Sequence, residues 1–342
     1  MESILVIRFS SLGDVVLATA VVEAVLDAFP ACRITVLTKR MYDPVFAFDE
    51  RIARVVGISG NESPWRIAER TGGRFDAVID LHGSVRSVLV GSLIRARVKV
   101  RVNKHSVARR IMIWSRNRFR RRFDVLGSFL DTLKSLGIEG RMLPRIVPGR
   151  RALDDTDTLL SPLRKPSGRL IGLAPGSRHP TKRWSSPSWV RLAERMFARG
   201  DVPVFIRDAQ DAAFVEEIRS AMSLDIPSLA DSSDLAATIG IMARLDGVVC
   251  NDSGPMHLAG ALGTPFAALF GPTHPDLGFA PGYPYGAVLH AGLPCSPCSL
   301  HGQAPCRLGI RRCMDAITVE TVERELDRVV RLKKHEADVR KR

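Results

Sequence analysis

The stretch Cys250–Gly271, CNDSGPMHLAGALGTPFAALFG, decides the fold. An apolar run, Gly247 to Cys250, leads into it and predicts a buried strand. Asn251-Asp252-Ser253-Gly254 breaks that strand, and a helix carrying Met256, His257, Leu258 and Ala261 follows. Gly263-Thr264-Pro265 stops the helix, and Phe266 to Phe270 predicts the next strand. Strand, glycine-containing turn, helix and strand make a βαβ unit, which belongs to a parallel sheet. The first N–H groups of such a helix lack intrahelical partners and face the sheet's carboxyl edge, where they suit a phosphate group. Read alone, the same residues also fit an ordinary helix cap at Asp252 or Ser253 and a core histidine at His257.

Working outward, the strand Arg169 to Ala174 runs into Pro175-Gly176-Ser177-Arg178-His179-Pro180-Thr181-Lys182-Arg183-Trp184. Arg178, Lys182 and Arg183 in a sharply turning loop can hold a diphosphate by charge-assisted hydrogen bonds. A helix from Ser185 or Ser186 to Gly200, a strand Val202–Ile206 and helices Asp211–Met222 and Leu235–Leu245 complete this half. The N-terminal half opens with the strand Ile4–Ile7, a turn Arg8–Asp14, the helix Val15–Phe29 and the strand Arg33–Leu37. The G-x-G-x-x-G dinucleotide fingerprint is missing there. Asp14 is either a helix cap or a carboxylate held at the sheet edge as a general base. Strands Arg54–Ile58 and Phe75–Asp80 follow, then the turn Asp80-Leu81-His82-Gly83-Ser84-Val85-Arg86-Ser87 and helices Val85–Ile94 and Asp124–Leu136.

A chain of 342 residues predicts two domains. Pro144, Pro148, Pro162 and Pro166 place a polar linker between Pro144 and Gly168. The expected division is residues 1–155, residues 165–320 and a C-terminal helix, residues 318–342, crossing back to the first domain. Val319, Val322, Leu326 and Val329 share one face of that helix, and Lys333–Arg342 is expected to fray. Alternating strands and helices in both halves call for two doubly wound α/β sheets with a cleft between them.

Hydrophobic content is 45% and no apolar run approaches the roughly 20 residues of a membrane span. MESILVIRFSS reads as a strand and not as a signal peptide, so residence in the cytoplasm is expected. The formal net charge of +14 is concentrated between Arg95 and Arg122, where twelve Lys or Arg and no Asp or Glu occur. Such a block suits an acidic partner or is a solvated surface. Its Ile111, Met112, Ile113 and Trp114 fit either a helix lying on a membrane surface or core packing. Aromatics at 6% supply few stacking platforms, so no nucleic-acid partner is expected.

RFSSLGDVVLATAV, DLHGSVRS, APGSRHPTKRW and NDSGPMHLAGALGTPFAALFGPT occur in this order, and together they resemble the ADP-heptose:lipopolysaccharide heptosyltransferases, glycosyltransferase family nine. The resemblance runs from residue 1 to about residue 330. It implies GT-B architecture, two Rossmann-like domains facing across a cleft. The implied reaction is inverting transfer of heptose from ADP-heptose to the lipopolysaccharide inner core. The acceptor would be a lipid A/Kdo or heptosyl core at the cytoplasmic membrane face, with the enzyme peripheral to the inner membrane. By the same resemblance Asp14 is the catalytic base. Lys182 and Ser177 contact the donor phosphates, Asp252 the donor sugar, and Ser253, Gly254 and His257 form the phosphate-binding helix start. The acidic residue on the donor ribose falls at Asp208 or Asp211, with Asp211 carried as the donor-binding candidate. Arg86, with His82 in the same motif, is placed facing the acceptor. No cofactor is required for catalysis. A nucleotide-sugar epimerase of the same architecture would share the diphosphate loop and is the nearest rival.

Cys32 and Cys250 lie in strand-like runs, whereas Cys295, Cys298, Cys306 and Cys313 form C-x2-C-x7-C-x6-C. Four thiols so spaced are a candidate structural zinc set, although the second pair lacks the usual C-x2-C. The alternative is a cysteine-rich loop that orders the donor site, as related sequences suggest.

Overall fold

The computed structural model describes residues 1–115, 121–231 and 234–340. It divides into two compact units, Met1–His105 with Asp124–Gly149, and Ser106–Phe123 with Arg150–Arg342. Each unit is built on its own parallel sheet.

In the first unit β1 (Ser3–Ile7) leads into α1 (Leu12–Ala28), then β2 (Arg33–Lys39) and β3 (Ile52–Ile58). Next come α2 (Pro64–Thr71), β4 (Arg74–Asp80), α3 (Val85–Leu93) and β5 (Arg95–Arg101). The strand order is β3-β2-β1-β4-β5, every pair parallel. Ile4, Leu5, Val6 and Ile7 are fully buried, as a central strand covered on both faces requires. β5 is a strand that the residues did not announce. It is an edge strand whose Arg95, Lys99 and Arg101 face water, a composition that blunts an open sheet edge.

The chain then forms α4 (Ser106–Trp114), which belongs to the second unit, and α5 (Val125–Leu130), which returns to the first. The expected linker is a helix, α6 (Arg150–Leu160). Ala152, Thr156 and Leu160, one turn apart, form its inward face. At Gly240 a Cβ would meet the Ala152 carbonyl and Thr156 Oγ1 at 2.6 and 2.7 Å, so only glycine lets the facing helix approach. Too narrow an apolar stripe among prolines hid this helix from the sequence.

The second unit continues with β6 (Leu170–Ala174), α7 (Ser186–Ala198), β7 (Val202–Arg207), α8 (Ala212–Ser220) and β8 (Ser228–Asp231). α9 (Leu235–Arg244) precedes the stretch that decides the fold, which appears as β9 (Gly247–Asn251), α10 (Gly254–Ala261) and β10 (Phe266–Phe270). β11 (Gly286–His290), α11 (Arg312–Asp315) and α12 (Val319–Arg340) close the chain. The order β11-β10-β9-β6-β7-β8, all parallel, is the doubly wound Rossmann order. Val319, Val322, Leu326, Val329 and Val330 on α12 are buried in this unit's core with Trp184, Trp189 and Phe205. α12 is therefore part of the second unit, and it stays helical through Arg340, past the start of the expected frayed segment.

In an open parallel sheet, ligands bind beyond the carboxyl ends of the strands where the winding reverses. That point lies between β1 and β4 in the first unit and between β6 and β9 in the second. The four motif loops follow those four strands.

Candidate functional site

In the first unit the loops after β1 and β4 carry Arg8, Asp14 and His82. Ser11 starts α1, and its backbone N–H and hydroxyl both donate to Asp14 Oδ2, at 3.3 and 3.1 Å. Asp14 is thus the third residue of the helix and completes a capping box. Its carboxylate also pairs with the guanidinium of Arg8. Arg8 is 6% exposed, donates to the Leu81 carbonyl and lies over the Phe129 ring at 5.3 Å. The buried guanidinium and the Ser11 donors together hold the partly exposed carboxylate in one orientation.

Asp80 organises the second loop. Its Oδ1 accepts from the N–H groups of His82 and Gly83 at 2.9 and 2.8 Å, and its Oδ2 accepts from Ser87 Oγ at 3.0 Å. The His82 ring stands 4.9 Å from that of Phe9. Burial, then the charges of Arg8 and Lys104, push His82 down to about 4, so it is neutral at pH 7. Arg86, the residue expected to face the acceptor, lies over the Phe9 ring at 5.9 Å. Its guanidinium donates to the carbonyls of Gly60, Ser59 and Glu62, bracing the loop after β3. Lys104, which sequence reasoning passed over, reaches this group. At Gly83 (φ +55°) a Cβ would meet Lys104 Cε at 3.3 Å.

In the second unit the loops after β6 and β9 are joined by Asn251. Its Nδ2 donates to the Pro175 carbonyl at 2.7 Å, and its Oδ1 accepts from the Trp184 N–H at 3.2 Å. Trp184 is fully buried and donates through Nε1 to the Ile317 carbonyl, so the loop is anchored immediately after Arg183. Between those anchors Lys182 Nζ lies 2.8 Å from Asp252 Oδ2, with both side chains largely buried. Thr273 Oγ1 donates to the same Asp252 oxygen at 2.6 Å. Ser253 is the cap residue of α10, Gly254 and Pro255 open the helix, and His257 is buried one turn in. Lys182, Asp252, Ser253, Gly254 and His257 therefore share one corner.

Ser177 is 4% exposed. Asp211 packs so closely under Gly176 that any Cβ there would overlap it. Arg183 donates to Asp211 Oδ1 at 3.0 Å and to the Ser177 carbonyl at 3.2 Å. Burial, then Asp208, raises the Asp211 pKa. In this arrangement Asp211 supports the Gly176–Arg183 loop from beneath.

The cysteine-rich segment backs the same loop. Arg311 Nη1 donates to the carbonyls of Pro180 and Arg183 at 2.8 and 3.0 Å, and Thr181 Oγ1 donates to the Gly302 carbonyl. At Gly302 (φ +85°) a Cβ would come within 2.6 Å of the Lys182 stem. Cys295, Cys298, Cys306 and Cys313 line a cavity of about 410 Å³ in this segment, all as free thiols. Burial, then Cys298 and Cys295, push the Cys313 thiol up to about 11, and burial raises Cys298. Among the described residues no three His, Cys, Asp or Glu side chains converge as a metal ion requires. The four side chains of the candidate zinc set lie within electrostatic reach of one another on this cavity.

The profile of glycosyltransferase family 9 (heptosyltransferase) matches residues 65–304. The chain belongs to this family and is a glycosyltransferase. It is 24% identical over 302 residues to lipooligosaccharide heptosyltransferase 2 of Haemophilus influenzae, covering 80% of this chain and 84% of that protein. Its fold matches the family 9 glycosyl transferase of Veillonella parvula (TM-score 0.80, 20% identity, 96% and 97% of the chains). It also matches the ADP-heptose lipopolysaccharide heptosyltransferase II of Escherichia coli (TM-score 0.73, 20% identity, 98% and 100%). The α/β fold is that of the GT-B heptosyltransferases.

Proposed function

We propose that this enzyme transfers a heptose from ADP-heptose to the inner core of lipopolysaccharide with inversion at the anomeric carbon. The observation that carries the reading is the corner where Lys182, Asp252 and the start of α10 meet at the winding reversal of the second sheet. A cation and a helix N-terminus on one point suit a diphosphate, and a carboxylate beside them suits sugar hydroxyls. Membership of the heptosyltransferase family, and the ADP-heptose donor of the Escherichia coli heptosyltransferase II, support ADP-heptose as the sugar nucleotide.

The reaction is a direct displacement. Asp14 accepts the proton of the acceptor hydroxyl while that oxygen bonds to the anomeric carbon. The bond from that carbon to the diphosphate oxygen breaks, and ADP leaves with the electron pair. Lys182 and the N–H groups near Ser253 and Gly254 stabilise the charge that develops on ADP. Fixed groups of the protein do this work in the proposal, so no cofactor takes part. Asp211 is the donor-ribose candidate through its place under the loop, and Ser177 contributes backbone and hydroxyl beside the phosphates.

The acceptor class implies work at a lipid surface. No helix among the described residues is long and apolar enough to cross a membrane. On α4, Val107, Ile111 and Trp114 are exposed on one face with Arg110, while Met112 is buried. An apolar stripe with a cation suits peripheral contact with an anionic leaflet. Residues 116–120 of the basic block lie outside the described residues. We assign the enzyme to the cytoplasmic face of the inner membrane.

The test is incubation of purified protein with ADP-heptose and a panel of truncated core acceptors. ADP release that requires an acceptor, with one heptose added to it, is expected. Turnover of the sugar nucleotide without acceptor and without transfer points to an epimerase and contradicts the proposal.

A further inference from the structure

We propose that Lys104, together with the Arg8 Nε–H and the His82 imidazole, binds an anionic group of the acceptor beside the hydroxyl that Asp14 deprotonates. This rests on the transferase reading above and names the chemistry of its acceptor site.

The backbone delivers Lys104 to the sheet's winding reversal. Val102 N–H donates to the Asp80 carbonyl at 3.0 Å, continuing the pairing of β5 with β4, and Lys104 follows two residues later. Its side chain crosses Gly83, with Nζ 3.8 Å from the position a Cβ would take there. Glycine at 83 therefore makes room for the lysine as well as for the turn.

The ammonium is half-buried, yet among the described residues it makes no hydrogen bond or ion pair. Two carboxylates are within electrostatic reach, Asp14 and Asp80. Both are engaged elsewhere: Asp14 by Arg8 and Ser11, Asp80 by His82, Gly83, Ser87 and Arg101. Partial burial and the nearby Arg8 lower its pKa, which a lysine placed only to neutralise a carboxylate would avoid by pairing with it directly. Two further groups lack partners here, Arg8 Nε, on a side chain more than nine-tenths buried, and His82 Nδ1. Buried polar atoms are ordinarily paired, so a cation with three donors next to two orphaned nitrogens describes a cradle for a ligand. Two of the three are cations, so the ligand is an anion. Arg86, the basic residue that sequence reasoning put in this role, holds three backbone carbonyls.

A sugar carboxylate and a sugar phosphate share this chemistry, and acceptor variants distinguish them. Binding of the core oligosaccharide is measured by calorimetry for the wild type, Lys104→Met and Lys104→Arg. Three acceptor forms are used: intact, dephosphorylated and carboxyl-reduced. Lys104→Met should weaken binding of the intact acceptor about tenfold or more, the scale of one hydrogen-bonded charge, while ADP affinity stays within about twofold. Lys104→Arg should restore most of the loss and so report a folded site. Removing the recognised anion from the acceptor should erase the difference between wild type and Lys104→Met, and which modification does so identifies the group. Unchanged binding of the intact acceptor by Lys104→Met overturns the proposal. An equal loss for all three acceptors with a shifted pH–rate profile also does, because the lysine would then act through Asp14. Wild-type turnover is followed in parallel. Acceptor binding without heptose transfer counts against the transferase reading alone, and a wild type that does not bind the intact acceptor overturns both.

Discussion

Lys182 Nζ and Asp252 Oδ2 stand 2.8 Å apart, although 70 residues of chain separate them. One follows β6 and the other follows β9, neighbours in the sheet on either side of its winding reversal. The pair fixes the ammonium above the start of α10, and Thr273 holds the same carboxylate oxygen. A lysine so oriented has already lost its side-chain freedom, which suits it to the proposed diphosphate contact.

Replacing that cation should weaken ADP binding. Lys182→Ala removes a charge-assisted contact and leaves the largely buried Asp252 with only Thr273 among the side chains above. A loss of about 1.5–3 kcal/mol, or roughly 10–150-fold in Kd, is expected. Titration calorimetry with ADP checks it, and an unchanged Kd would remove Lys182 from the donor site.

Asp14→Asn should leave ADP-heptose binding intact and lower kcat by about 10²–10⁴, the usual worth of a positioned base. The amide still fills the cap of α1 but cannot take a proton. Near-normal turnover in this variant would exclude Asp14 as the base.

The cysteine-rich segment should matter for binding through Lys182. Gly302→Ala places a methyl against the Lys182 stem and strains a backbone with φ of +85°. That conformation costs a non-glycine residue about 1–2 kcal/mol. ADP affinity should fall by about tenfold while the midpoint of thermal unfolding moves by only a few degrees. Equal ADP affinity in the variant would show that the loop is positioned without this contact.

His82 gives stability a pH dependence of known sign. Its folded pKa of about 4 lies below the unfolded 6.5, so the unfolded chain binds the extra proton between those values. Its contribution is complete above pH 6.5 and declines as pH falls toward 4, by at most about 3 kcal/mol. Asp43, raised to about 6 by burial, acts in the opposite direction over part of that window. Comparison with His82→Gln isolates the histidine. Denaturant midpoints at pH 7 and pH 4.5 should differ less in the variant, and an equal difference would contradict the assignment.

The parts of the fold and site that were legible in the sequence have a physical reason for being so. β9, α10 and β10 are buried on both faces, so their apolar runs and the intervening turn stand out in the residues. The four motif loops follow buried strands, which ties them to a sheet edge from the residues alone. β5 was hidden because an edge strand with its basic residues in water has no apolar signal. α6 was hidden because three small or apolar positions suffice when the facing helix offers Gly240. Lys104 could not be picked out among twelve basic residues, since what distinguishes it is its passage over Gly83. Asn251 stands within a motif, but its bridge from Pro175 to Trp184 depends on pairing between β6 and β9. Arg86 adds a feature the motif does not announce, three hydrogen bonds to backbone carbonyls of the loop after β3.

The anomeric configuration of the product tests the central claim most directly. Purified enzyme, ADP-heptose and a truncated core acceptor should yield a glycoside whose configuration, read by proton and carbon NMR, is opposite to that of the donor. Retained configuration, or release of ADP with no new glycosidic bond, would contradict single displacement assisted by Asp14 from a donor held by Lys182 and Asp252.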